Sequence, residues 1–172
     1  MVAVDPAYAR PTEEVLAEAS GAVAAGATII DLNSDAFVWD WYGSRGARAD
    51  MRQRAREAFT DDYRHHPGGY VPGSLPTLPF SDRSFDLALC SHFLFTWSDV
   101  FDEAWHEASL LELSRVATEV RVFPLVVQGS GAAVPYLPSL MNRLAGEGLD
   151  CRVVTVTYEF QRGANQMLVV RS

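Results

Sequence analysis

The apolar positions of this chain fall into strand-like runs and helix-like stripes, and the alternation between them is clearest in its second half. Phe85 to Cys90 is an almost unbroken apolar run of strand length. It is entered through a polar turn bracketed by Asp82 and Ser84 and left through Ser91-His92. Such a run suits a strand of a parallel sheet, buried on both faces. The pattern then predicts a helix from Asp99 to Val116, with Asp99 as its cap and Asp102 and Glu103 complementing the dipole. Strand Glu119 to Leu125 follows, then helix Pro135 to Gly146, strand Cys151 to Phe160 and strand Gln166 to Arg171. A short turn around Arg162-Gly163 makes the last two antiparallel. The order from Phe85 onward is therefore β-α-β-α-β-β.

The first half is less regular. Val2 to Val4 reads as a short strand that Asp5-Pro6 ends, because proline restricts the residue before it and supplies no ladder donor. Pro11, Glu13 and Glu14 at one end and Gly26 at the other predict a helix over about Thr12 to Ala25. From Ile29 to Tyr42, Phe37, Trp39, Trp41 and Tyr42 crowd between Asp31, Asp35 and Asp40, as a loop or short helical turns over a cleft. Met51, Ala55, Ala58, Phe59 and Tyr63 give a helical stripe from about Ala47 to Tyr63. His65-His66-Pro67-Gly68-Gly69 stops it, and a short strand is expected from Gly69 to Ser74.

Composition narrows the class. The 172 residues suit one domain, and 48% hydrophobic with 21% charged residues is ordinary for a soluble globular chain. The net charge is −8 and all 14 basic residues are Arg, which argues against binding nucleic acid, whose backbone needs a clustered basic surface. Arg45, Arg48, Arg52, Arg54 and Arg56 form one cluster, offset by Asp50, Glu57, Asp61 and Asp62. It reads as a solvated helix face or as a phosphate-binding patch. Cys90 and Cys151 have no metal-ligand spacing and read as reduced, half-buried hydrophobes, and the four His show no metal spacing either. No apolar run approaches 18 residues, so no membrane association and a cytoplasmic location are expected. No G-x-S-x-G, P-loop or G-x-G-x-x-G occurs in the chain.

The stretch Leu78-Pro79-Phe80-Ser81-Asp82-Arg83-Ser84-Phe85-Asp86-Leu87-Ala88-Leu89-Cys90-Ser91-His92 resembles the fourth strand of class I S-adenosylmethionine-dependent methyltransferases. There an LPF, a short acidic turn, SFD and an apolar strand lead into the substrate side of the cleft. Leu111 to Val116 resembles the end of the family's following helix and Glu119 to Val127 its fifth strand. Val2-Ala3-Val4-Asp5 resembles the second strand. The resemblance implies an α/β fold, a Rossmann-like three-layer sandwich with a mostly parallel sheet ending in a C-terminal antiparallel hairpin. It makes residues 1–172 one methyltransferase-like domain with an aromatic and helical insertion at about 29–68. It also implies S-adenosylmethionine as cofactor and a small-molecule methyl acceptor as partner.

The site residues follow from the same resemblance. Asp5 is assigned to the cofactor ribose, where a carboxylate at a strand tip accepts from two hydroxyls; the residues alone equally allow an Asp-Pro turn. Ser74 stands where many members place an Asp for the adenine amine, and Leu75 beside it is a candidate to pack on the ring; a plain turn is the alternative. Ser91 and His92 would face the sulfonium and the acceptor. His92 is the candidate to take the acceptor's proton, since an imidazole titrates near neutrality, or else is a packed structural histidine. Trp39, Trp41, Phe93, Phe95 and Trp97 line an acceptor pocket or fill a core.

The family's first strand and glycine-rich turn precede the second strand, and neither is found before Asp5. The expectation is an N-terminally incomplete domain that binds cofactor weakly or not at all, with an open sheet edge suited to self-association. Two readings stand: a methyltransferase in truncated form, and a non-catalytic methyltransferase-like binding or regulatory module.

Overall fold

The computed structural model describes residues 38, 40, 43–127 and 130–172. The predicted strand at Val2 to Val4, the helix at Thr12 to Ala25, Asp5 and most of the aromatic stretch before Tyr42 lie outside these residues. Helix α1 spans Arg45–His65 and is capped by Ser44, whose hydroxyl accepts from the Ala47 amide at 3.0 Å. A 3-10 turn at Pro67–Gly69 ends the segment. Strand β1 (Phe85–Ser91) leads through a second 3-10 turn, Phe95–Trp97, into α2 (Glu103–Val116). Strand β2 (Ala117–Phe123), α3 (Leu137–Gly146), β3 (Asp150–Thr155) and β4 (Gln166–Arg171) complete the order.

The strands form one sheet in the order β1-β2-β4-β3. β1 and β2 are parallel, with Ala88 opposite Val120 and Ser91 opposite Phe123, while β4 runs antiparallel to both β2 and β3. The β-α-β-α-β-β order and the antiparallel final pair are as the sequence predicts. Among the described residues the sheet is mixed rather than mostly parallel, with one parallel and two antiparallel interfaces.

The core lies on one face of that sheet. Ala88, Val120, Val122, Leu168 and Val170 pack against Leu110, Leu113 and Val116 of α2 and Leu140 and Leu144 of α3. The opposite face is more open: Leu87 and Leu89 are 41% and 64% exposed. β1 is therefore not the strand buried on both faces that its apolar run predicts.

Four further boundaries differ from expectation, each for a local reason. Asp102, not Asp99, caps α2, because the chain first turns through Phe95–Trp97; its carboxylate accepts from the Trp105 amide at 2.8 Å. No strand forms from Gly69 to Ser74. Pro72 lacks a ladder donor, and a side chain at Gly73 would meet Leu78 at 3.1 Å, so the chain packs as turns ending in a lone Ser74–Thr77 bridge. β2 starts at Ala117, directly after α2. β3 ends at Thr155, five residues before Phe160, and the freed residues form a long connection to β4. Among the described residues, no helix is long and apolar enough to cross a membrane.

Candidate functional site

The LPF-to-SFD signature anchors the fold at the end of β1 away from His92. The Leu78 amide donates to Glu112 at 2.6 Å, and Arg115 grips both Glu112 oxygens at 2.8 Å and Asp82 at 2.6 Å. The Arg83 amide donates to the Arg115 carbonyl at 2.8 Å, and Arg83 itself adopts φ 51° in the tight turn. The Arg115 guanidinium holds the Glu112 carboxyl below its ordinary range. The turn is thereby clamped to the last turn of α2, which sets where β1 enters the sheet.

At the other end, β1 and β2 finish side by side, as parallel strands must, and polar groups collect there. His92 leaves the strand with φ 56°, the left-handed region in which His, Asn and Asp are tolerated better than most side chains. Its backbone amide donates to the Phe123 carbonyl at 2.7 Å, so the ladder is closed before the chain turns away. The Ser91 hydroxyl lies 2.7 Å from Nδ1. Phe160 covers one face of the ring at a centroid distance of 4.6 Å, and Phe123 meets it edge-on at 5.8 Å. That cover disfavours the imidazolium and lowers the pKa of His92, although the residue keeps an exposed side. Among the described residues Nε2 has no hydrogen-bond partner.

Phe160 arrives from the connection between β3 and β4, which sequence reasoning read as a longer strand because Val154 to Phe160 keeps alternating apolar and polar residues. The connection is well anchored. The Val38 amide donates to the Phe160 carbonyl at 2.9 Å, Val156 to Asn165 at 2.8 Å, and Gly163 to the Glu159 carboxylate at 2.8 Å. Phe160 and Ala164 form a small second core with Val126 and Phe123. Gly131, at φ 67°, lets the loop after β2 pass under Arg162, whose carbonyl a Cβ would meet at 3.0 Å. Tyr158 stacks beside Phe160 at 6.0 Å.

The other sequence candidates lie elsewhere. The Ser74 hydroxyl reaches the Leu75 carbonyl at 3.4 Å, and the Leu75 side chain is buried in the main core rather than displayed on an open face. No hydrogen bond or ring contact links either residue to Ser91 or His92. Phe95 is likewise core, stacked on the fully buried His106 at 5.1 Å. His106 braces the turn after β1, with Nε2 3.0 Å from the Leu94 carbonyl and Nδ1 2.7 Å from that of Asp102. Phe93, with Phe101 and Trp105, forms a partly buried aromatic cluster against the edge of that core. Among the described residues no group of three His, Cys, Asp or Glu side chains is placed to hold a metal ion.

Residues 36–118 match the family described as methyltransferase domain, a stretch that holds both the LPF-to-SFD signature and His92. The resemblance read from Leu78 to His92 is thus shown for that part of the chain. An uncharacterized protein of Methanocaldococcus jannaschii is 25% identical over 135 residues, 78% of this chain. The chain aligns to 58% of that relative's length. No solved structure matches the chain.

Proposed function

We propose that the chain, a methyltransferase domain over residues 36–118, transfers a methyl group from S-adenosylmethionine to a small-molecule acceptor whose proton is taken at His92. The reading is carried by the exit of β1. There a histidine in left-handed backbone sits at the C-terminal edge of a parallel pair, one ring nitrogen held by Ser91 and the other without a hydrogen-bond partner among the described residues. A non-glycine residue in that conformation costs on the order of 1–3 kcal/mol and persists where its surroundings over-determine it, most often at functional sites.

The described residues fit the acceptor end of such a cofactor, because Ser91 and His92 are polar and exposed at the edge where ligands of α/β sheets collect. The cofactor, when bound, supplies an electrophilic methyl group on a positively charged sulfur. The chain's own residues orient the acceptor and receive its proton, and Asp5 and Ser74 would hold the ribose and adenine as the family resemblance implies.

Isothermal titration of the full chain with S-adenosylmethionine up to millimolar concentration is the first measurement. Asp5→Ala is expected to weaken binding at least about tenfold, the loss of one charge-assisted hydrogen-bonding group. Release of S-adenosylhomocysteine in the presence of phenol, amine and carboxylate acceptors is the second. His92→Asn, which keeps the left-handed backbone, is expected to retain cofactor binding and lose about a hundredfold in turnover. Absence of cofactor binding throughout that range would sink the enzyme reading in favour of a non-catalytic methyltransferase-like module.

A further inference from the structure

We propose that Phe160 is a positioning residue for His92: from an anchored connection on the far side of β4, it covers one face of the imidazole and keeps water from it. With Ser91 at Nδ1, this leaves Nε2 as the open nitrogen for an acceptor whose nucleophilic atom carries a proton. The inference rests on the proposed methyl transfer and narrows it to hydroxyl and N–H acceptors.

Three observations carry it. The Phe160 ring lies 4.6 Å from the imidazole and is itself only 8% exposed, so it is a fixed wall. Its position is over-determined, by the Val38 amide on its carbonyl, by Ala164 and Val126 behind it and by the close approach at Gly131. Among the described residues, the groups packed on the imidazole are uncharged: Ser91 of β1, Phe123 of β2 and Phe160 of the connection. The charged neighbours on those elements are otherwise engaged. Arg121 pairs with Glu119 at 2.6 Å, and Glu159 accepts from the Gly163 amide. Arg162, next in the connection after Gln161, also has partners of its own. Burial is accordingly the cause of the lowered His92 pKa, which keeps the ring neutral and able to accept.

In the step this serves, the acceptor's X–H bond breaks and its proton bonds to Nε2. The X–H electron pair stays on X and forms the bond to the methyl carbon. A bound S-adenosylmethionine would supply that methyl carbon and keep the carbon–sulfur pair on its sulfur, and the imidazolium then releases its proton to solvent. A carboxylate or thiolate acceptor brings no proton and gains nothing from this arrangement.

The test is a titration of the His92 ring signals by NMR on the full chain labelled at histidine, without cofactor or acceptor. Phe160→Ala is expected to raise the midpoint toward the ordinary value of about 6.5, and Phe160→Leu, which keeps an apolar cover, to hold it near that of the wild type. Tyr158→Leu, altered beside Phe160 but without ring contact to His92, is expected to leave it unmoved. An unchanged midpoint in Phe160→Ala overturns the proposal. So does a shift in Tyr158→Leu as large as that in Phe160→Ala. Should Phe160→Ala not fold, a midpoint in Phe160→Leu displaced fully to the ordinary value overturns it equally. Since no methyl transfer is involved, failure of the enzyme reading shows in the binding and turnover assays and leaves this outcome separate.

Discussion

Burial moves two side chains at the end of β1, one within the strand and one just past it, in opposite chemical directions. Cys90, on the core face, has its thiol pushed up to about 11, which leaves it protonated and inert at neutral pH. His92, two residues on, has its pKa lowered by the cover of Phe160 and Phe123, so that folding favours its neutral form. The consequence for stability has a definite sign. Because the folded pKa lies below the unfolded value of about 6.5, the unfolded chain binds the proton more readily. His92 therefore costs no stability above about pH 6.5, and stability falls as the pH drops from there through the folded pKa. The salt-bridged carboxylates Glu103, Glu112 and Glu119, all lowered, lose their contribution only below the ordinary carboxylate range of about 4.3. Urea unfolding at pH 7.5 and 5.5 is expected to show a drop in the wild type that His92→Asn largely removes. An equal drop in the variant would mean that another group titrates in that window.

Elements of this fold form where local pattern and tertiary contact agree. The clamp at the start of β1 shows what holds such a junction. Glu112 is only 12% exposed at its side chain and satisfies both the Leu78 amide and Arg115, so Glu112→Ala leaves a part-buried N–H without its acceptor and Arg115 with Asp82 as its remaining carboxylate. The expected cost is about 1–3 kcal/mol, read as a lower urea midpoint with unchanged slope, and Glu112→Gln is expected to recover part of it through the amide contact. β1, β2, β4 and the two following helices were legible in the sequence because each has a buried face: Ala88, Val120, Val122, Leu168 and Val170 meet Leu110, Leu140 and Leu144, while β3 sets only the partly buried Cys151 on that core. The end of β3 was not legible. Alternation in Val154 to Phe160 satisfies the strand period, and nothing local records that Phe160 belongs against His92 across the sheet. The same holds for the site: Ser91-His92 was readable from its place after an apolar run, whereas Phe123 and Phe160 are neighbours only through register and a long connection. The cap of α2 was misplaced for a different reason. Asp99 and Asp102 are equivalent as caps in sequence, and the 3-10 turn at Phe95–Trp97 decides between them.

At the scale of the whole molecule, the described residues divide into a packed sheet with α2 and α3, and a helix that stands outside that packing. None of the described side chains of α1 is buried, and Met51, Phe59 and Tyr63 are 46%, 47% and 50% exposed. The stripe that predicts an amphipathic helix is real, but its described partners are local: Phe59 and Tyr63 meet Tyr70 at 5.4 and 5.2 Å, and Tyr70 bonds to Asp62. Its first turn carries no acidic residue to complement the dipole and begins with Arg45. Helical stability in proteins comes mostly from burying one face, and among the described residues α1 is held mainly by its caps, its own hydrogen bonds and the contacts to Tyr70. Local opening should then cost far less in α1 than in the strands, whose amides are bonded across the sheet and covered on one face by α2 and α3. Hydrogen exchange read by mass spectrometry is expected to show peptides from Arg45–His65 exchanging about a hundredfold faster than those from β2 and β4. The aromatic end at Phe59 to Tyr70 is expected to be the slowest part of the helix. Tyr70→Ala should erase that local difference and leave β2 and β4 unchanged, because the aromatic cluster shares no member with the core behind the sheet. Protection of α1 equal to that of β2 would show that its apolar stripe is covered in solution and that helix and sheet open as one unit.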